Sequence, residues 1–216
     1  MNFIDICLQL LPGMAVTIQI FVITLIFSLP LGMVVAVGRM SKYKIIQLIF
    51  RIYIAIMRGT PLMLQLLVIY FGPYYLFGVS IAASYRQVAV MIAFSLNYAA
   101  YFAEIYRSGI ESIDNGQREA AYILGYNRAQ TFFAIILPQV IKRILPAITN
   151  EVVTLVKDTS LAFSIAYAEM FTEAKRIAAA QTSMLPFIAA GIFYFVFNAL
   201  VAFIMKKTED KLSYYS

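Results

Sequence analysis

Residues 119–138, EAAYILGYNRAQTFFAIILP, form a polar segment set between long hydrophobic ones, and their reading decides what kind of molecule this is. The spacing runs Glu119-Ala120-Ala121, three residues, Gly125, nine residues, then Ile135-Ile136-Leu137-Pro138. It predicts two short helices with a bend at Gly125, where a residue without Cβ supplies the positive φ that ends a helix. Asp114 is placed to cap the first helix, with Gln117 as capping-box partner; Asn127 is placed to cap the second, with Gln130. Pro138 then opens the next membrane segment.

The flanking composition excludes an ordinary soluble domain. Hydrophobic residues make up 62% of the 216 and charged ones 13%, with a mean hydropathy of +0.81. The expected class is all-α: an integral membrane helical bundle with five transmembrane spans and a cytoplasmic coupling helix, as one domain over 1–216. The net charge of +6 is read as an orientation signal rather than a nucleic-acid footprint. With no His and a single Cys7, no internal disulfide or cysteine–histidine metal cluster can form, and redox or metal chemistry is not expected. The N-terminus lacks a basic n-region and an A-x-A cleavage site, so Met1 onward is expected to be retained.

Residues 6–38 carry no charge, which exceeds the roughly 20 residues that cross a bilayer. A short interfacial helix is expected over Phe3–Leu11, then a first span over Met14–Val37, opened by Pro12 and bent near Pro30 and Gly32. A second span over Lys44–Phe71 is interrupted by Arg58-Gly59-Thr60-Pro61, and a Gly72-Pro73-Tyr74-Tyr75 turn follows. The third lies between Arg86 and Arg107, about 32 Å of helix. After a coupling loop over about 108–140, a fourth span over Lys142–Phe163 is interrupted at Lys157-Asp158-Thr159-Ser160. An amphipathic helix over Ser164–Ser183 carries Glu169, Glu173 and Arg176 on one face, read as a solvated outer face or as a contact for an external binding protein. A fifth span over Pro186–Met205 leads into the polar tail Lys206–Ser216.

With the N-terminus outside and the C-terminus inside, twelve of the 17 basic residues fall on the cytoplasmic side: Arg39, Lys42, Lys44, Arg51, Arg107, Arg118, Arg128, Lys142, Arg143, Lys206, Lys207 and Lys211. Arg86, Lys175 and Arg176 fall outside. That asymmetry puts the 119–138 stretch in the cytoplasm.

Arg58 and Lys157 lie inside the membrane, where charge is costly and usually marks a pathway. Thr60 before Pro61 reads as the cap of a new half-helix, and Asp158-Thr159-Ser160 as the cap of another. Half-helix N-termini offer N–H groups to an anion such as an α-carboxylate, with Asp158 or a polar side chain for the ammonium. The equal alternative is a structural Lys157–Asp158 pair with Arg58 snorkelling or bound to backbone carbonyls. Asn97 sits near the bilayer centre and either lines the path or bonds between helices; Gln65 is read the same way. Glu104 and Arg107 are spaced to pair on a helix, and Glu151 is read as half of a local pair, with a gate or an inter-subunit contact as the alternatives.

Arg58-Gly59-Thr60-Pro61-Leu62 with Gln65, then Asn97-Tyr98, the 119–138 loop, and Lys157-Asp158-Thr159-Ser160-Leu161 stand in an order that resembles the permease subunits of polar amino acid ATP-binding cassette importers, the histidine, arginine, glutamine and cystine type. The resemblance implies cytoplasmic ATPase subunits, a second permease subunit, identical or not, an extracytoplasmic solute-binding protein and an amino acid substrate. It also implies that Glu119, Ala120, Ala121 and Gly125 seat the coupling helix on the ATPase. No cofactor is expected on this chain. It has no Gly-Lys dipeptide, hence no phosphate-cradling loop, and ATP would bind the partner. Two other readings compete: an ion- or proton-coupled carrier or channel using Arg58, Lys157 and Asp158, which leaves the 119–138 spacing unexplained, and an intramembrane hydrolase, for which Lys157 with Ser160 is the one conceivable dyad.

Overall fold

The computed structural model describes residues 2–213, and among them every regular element is helical. α1 covers Phe3–Arg39, α2 Lys44–Gly59, α3 Leu62–Phe77, α4 Tyr85–Glu111 and α5 Asn115–Ile123. α6 runs from Arg128 to Ile165 with a changing pitch, followed by α7 over Met170–Gln181 and α8 over Leu185–Ser213. Four helices (α1, α4, α6 and α8) are long and apolar enough to cross a membrane, and the bent pair α2–α3 makes up to five.

α1 is one unbroken helix of 37 residues, not an interfacial helix followed by a span. Pro12 and Pro30 lie inside it, as membrane helices allow where neighbours re-satisfy the backbone. At about 56 Å it overshoots the roughly 30 Å hydrocarbon core. Its first turns therefore leave the main bundle: Ile6 and Leu10 join Met170, Ala174 and Ile177 of α7 and Ala189 and Ala190 of α8 in a separate small core. Farther along, α1 packs against α4 through a small-residue seam, where a Cβ on Gly32 would lie 2.9 Å from the Phe102 Cβ.

α2 and α3 meet at a 109° bend at Thr60–Pro61, the place where the second span was expected to be interrupted. The expected turn at Gly72–Tyr75 is helical; α3 continues to Phe77 and stops where Gly78 takes φ +65°. Pro73 is tolerated within it, and the glycine with access to the left-handed region decides the end.

α6 begins at Arg128, so the helix starts well before Lys142 and runs on through Pro138. Thr131–Ile136 is π-helical before the α-helical stretch Leu137–Asp158. The cause is local: Pro138 has no N–H for the carbonyl four residues back, and the Leu137 N–H bonds five residues back to Phe132. From Thr159 to Ile165 the helix tightens to 3-10 pitch.

The contacts sort the two ends of the bundle. The start of α1 meets α7 at Gly13–Met170, and Arg86 at the start of α4 donates to the Ala166 carbonyl at 3.2 Å. The end of α4 lies with the 112–130 loop at the opposite end.

Candidate substrate cavity and coupling loop

The loop between α4 and α6 folds as its local chemistry dictates. The Asp114 carboxylate accepts from the Gly116 N–H at 2.6 Å, so it caps α5 without the Gln117 partnership expected of a capping box. Asn127 and Gln130 do form the reciprocal box, at 2.9 Å in each direction. Gly125 sits at φ +82°, while the Tyr126 and Gly125 N–H groups reach back to Ala121 and Tyr122 at 3.0 Å. That closure satisfies the last carbonyls of α5 and swings the chain sharply. Ala121 is buried, Glu119 and Ala120 are exposed, and Ile123 and Leu124 stand 86% and 74% exposed beside them.

At the other feature, the α2–α3 break, an amide network does the holding. The Gln65 Nε2 donates to the Met57 carbonyl (3.0 Å), the Thr60 carbonyl (3.1 Å) and the Thr60 hydroxyl (2.8 Å). The Asn97 Nδ2 donates to Met57 O at 3.0 Å and to Gln65 Oε1 at 2.9 Å. α4 thus clamps the last turn of α2 and the first turn of α3 to a single amide.

In front of this clamp lies a cavity of about 360 Å³ lined by Thr60, Pro61, Leu62, Asn97, Tyr98, Tyr101, Glu151, Thr154, Asp158 and Leu161. The Tyr98 hydroxyl donates to Asp158 at 2.8 Å, and the Arg58 guanidinium lies over the Tyr101 ring, 5.3 Å from its centre. Two carboxylates therefore face the space with one guanidinium at its edge, and none of the ion pairs among the described residues joins them. A larger groove of about 770 Å³ between α1 and α4 offers little but hydrocarbon, with Gln87 and Ser95 as its polar lining. Of these two spaces, the smaller is the one that offers partners to a polar solute.

Residues 28–214 match the family described as the binding-protein-dependent transport system inner membrane component. The chain belongs to that family. Among its relatives are the arginine transport system permease protein ArtQ of Bacillus subtilis, 39% identical over 94% of this chain and 92% of that one, and the L-cystine permease protein TcyB of the same organism, 35% identical over 94% and 86%. The putative glutamine permease protein GlnP of Rickettsia felis is 35% identical over 95% and 93%. A crystal structure of an amino acid ABC transporter with histidines superposes with a TM-score of 0.88 at 32% identity, covering 98% of this chain and 99% of that one. The MetNI methionine ABC transporter, inward facing, shares the fold at a TM-score of 0.67 and 15% identity over 97% and 95%.

In this permease Thr60, Asn97 and Asp158 line one cavity, Arg58 borders it, and Gln65 stands behind it as a brace. Lys157 is exposed and outside the lining, and it forms no ion pair with Asp158. Thr159 is fully buried and donates to Val156 O at 2.7 Å; Ser160 donates to Lys157 O at 2.7 Å. The half-helix N-terminus expected at Asp158–Ser160 is therefore absent, because α6 continues through it at tighter pitch and its N–H groups stay internal. Thr60 likewise does not cap α3: Pro61 holds that position, and the Thr60 hydroxyl donates back to Ile56 O at 2.8 Å. Only the α3 N-terminus keeps its open N–H groups beside the cavity, where they favour an anion.

Glu151 is not half of a local pair but a wall of the cavity. Together with Thr154 and Asp158 it forms a stripe at spacings of three and four, the signal in the sequence that marks one face of a helix. Tyr98 and Tyr101 repeat it on α4. Glu104 and Arg107 pair as expected, Arg107 Nε donating at 3.0 Å, and Glu111 joins them. Glu173 and Arg176 pair on the surface at 2.7 Å, but Glu169 does not share that face: it is fully buried. Burial pushes its carboxyl above the ordinary glutamate range, against the pull of its hydrogen-bond donors.

Proposed function

We propose that this chain is the membrane-spanning subunit of an ATP-binding cassette importer for amino acids, and that the cavity between the α2–α3 break, α4 and α6 is where the amino acid passes. The observation that carries the reading is the convergence of Asn97, Tyr98, Glu151, Thr154, Asp158 and the α3 N-terminus on one small space inside an otherwise apolar bundle. A zwitterion needs an anion-attracting end and a carboxylate; Arg58 with the α3 N-terminus supplies the first and Asp158 the second. Glu151 is then left over as a second carboxylate, which suits a positively charged side chain, and the arginine permease protein is among the relatives. We therefore take L-arginine as the first ligand to test.

The chain hydrolyses no ATP in this reading and carries no cofactor. Nucleotide binds a partner ATPase, whose surface receives α5: Glu119, Ala120 and Ala121 with the exposed Ile123 and Leu124 form a compact knuckle, and Gly125 sets its angle. Exposed apolar side chains of that size on a short helix between spans call for a protein cover. The α5 end faces the cytoplasm, the start of α1 and all of α7 face outward toward a solute-binding protein, and a second permease copy or homologue completes the pathway.

The test is uptake of L-arginine into proteoliposomes that hold the permease, its ATPase and the binding protein. Uptake that requires ATP hydrolysis and falls at least tenfold in Asp158→Asn supports the reading; uptake that persists without the ATPase overturns it.

A further inference from the structure

Four elements meet around one buried carboxylate at the end of the bundle away from α5. Glu169, Thr17 and Thr159 are each 0% exposed. Glu169 Oε1 accepts from the Thr172 N–H at 2.7 Å and the Thr172 hydroxyl at 2.9 Å; Oε2 accepts from the Phe171 N–H at 2.7 Å and the Tyr194 hydroxyl at 2.9 Å. Capping α7 needs only a short side chain. The longer glutamate also reaches α8, which an ordinary cap would not do.

From α8 the connection continues. The Tyr194 hydroxyl also lies against the hydroxyls of Thr159 and Thr17, and Thr17 in turn accepts from the Met170 N–H at 3.2 Å. Thr159 is the residue at which α6 changes to 3-10 pitch, and its chain neighbour Asp158 faces the cavity. There is no slack between α1 and α7 either: a Cβ on Gly13 would stand 2.8 Å from the Met170 Cα. Glu169, Tyr194 and Thr159 thus form a continuous line of contacts from the α7 N-terminus to the turn beside Asp158.

We propose that Glu169 and Tyr194 are positioning residues that set the aim of Asp158 into the cavity, so that the placement of α7 governs how tightly the cavity holds its amino acid. This rests on the cavity reading given above. An outward-facing helix that touches no substrate would thereby tune substrate affinity, and a binding protein seated on α7 would act on the cavity by the same route.

The experiment measures binding of tritiated L-arginine to the purified permease–ATPase complex, without binding protein, for the wild type, Tyr194→Phe, Asp158→Asn and the double variant. Tyr194→Phe removes one hydroxyl and leaves Glu169 three donors, so the cap survives; the expected result is a Kd about three- to tenfold weaker, the range for one lost hydrogen bond. In the Asp158→Asn background the same change should add less than twofold, because its effect runs through that carboxylate. Thr159→Val should reproduce the loss and Thr159→Ser restore wild-type binding, which keeps the test open should Tyr194→Phe not assemble. An unchanged Kd in Tyr194→Phe and Thr159→Val, or full additivity with Asp158→Asn, overturns the proposal while leaving the cavity in place. An unchanged Kd in Asp158→Asn alone removes the cavity reading and this proposal together.

Discussion

Replacing Gln65 by Leu tests whether the amide clamp sets the α2–α3 break. Its Nε2 meets three acceptors with only two hydrogens, so two full donations plus the bond accepted from Asn97 are lost, three in all. Hydrogen bonds between membrane helices average about 0.6 kcal/mol each, which gives a cost of about 2 kcal/mol. Asn97→Leu loses two bonds, hence about 1.2 kcal/mol. The one bond they share makes the double variant about 0.6 kcal/mol less costly than the sum of the singles. The order follows from geometry alone: Gln65→Leu is the worse change although it lies outside the cavity lining, and Asn97→Leu the milder although it lies in it. SDS-induced unfolding of the purified protein in mixed micelles, followed by circular dichroism, reads all three values. Equal costs, a reversed order or strict additivity would refute the clamp.

Three further outcomes are expected. Gly125→Val should leave the membrane helices intact, since a Cβ there meets nothing within 4 Å, but the left-handed backbone should cost about 1–2 kcal/mol, tilting α5 and lowering ATP-driven uptake; normal uptake would separate α5 from the transport cycle. Gly13→Ala drives a methyl into the Met170 backbone and should cost about 1–3 kcal/mol in thermal unfolding, whereas Gly191→Ala, in open space, should be silent. Glu169→Gln keeps the shape but turns one acceptor oxygen into a donor that faces donors; a loss of about 1–3 kcal/mol is expected, and wild-type stability would mean that the second oxygen is not needed.

Much of the architecture was legible because long apolar runs are a one-dimensional signal. The Asn127–Gln130 box and the Gly125 bend were equally readable, since their partners lie within a few residues. What the sequence hid depends on neighbours. Pro12 looked like a helix opener, yet α1 passes through it. The hydroxyl residues Thr60, Thr159 and Ser160 looked like caps, but each turns back onto its own helix, so the break at 157–160 became a change of pitch. Glu169 looked solvated from its helical spacing with Glu173 and Arg176; only the approach of α1 and α8 buries it. The cavity was half visible: Thr60, Asn97 and Asp158 stood out as intramembrane polar groups, while Tyr101 and Thr154 were lost among residue types that a membrane protein uses everywhere.

The most direct measurement of the central claim is substrate protection of a cysteine placed in the cavity. In a Cys7→Ser background, Thr154→Cys should react with a small membrane-permeant maleimide, and saturating L-arginine should slow that reaction at least fivefold while leaving Ala179→Cys on α7 unaffected. Labelling of Thr154→Cys at the same rate with and without L-arginine, in a complex that still imports it, would contradict the account.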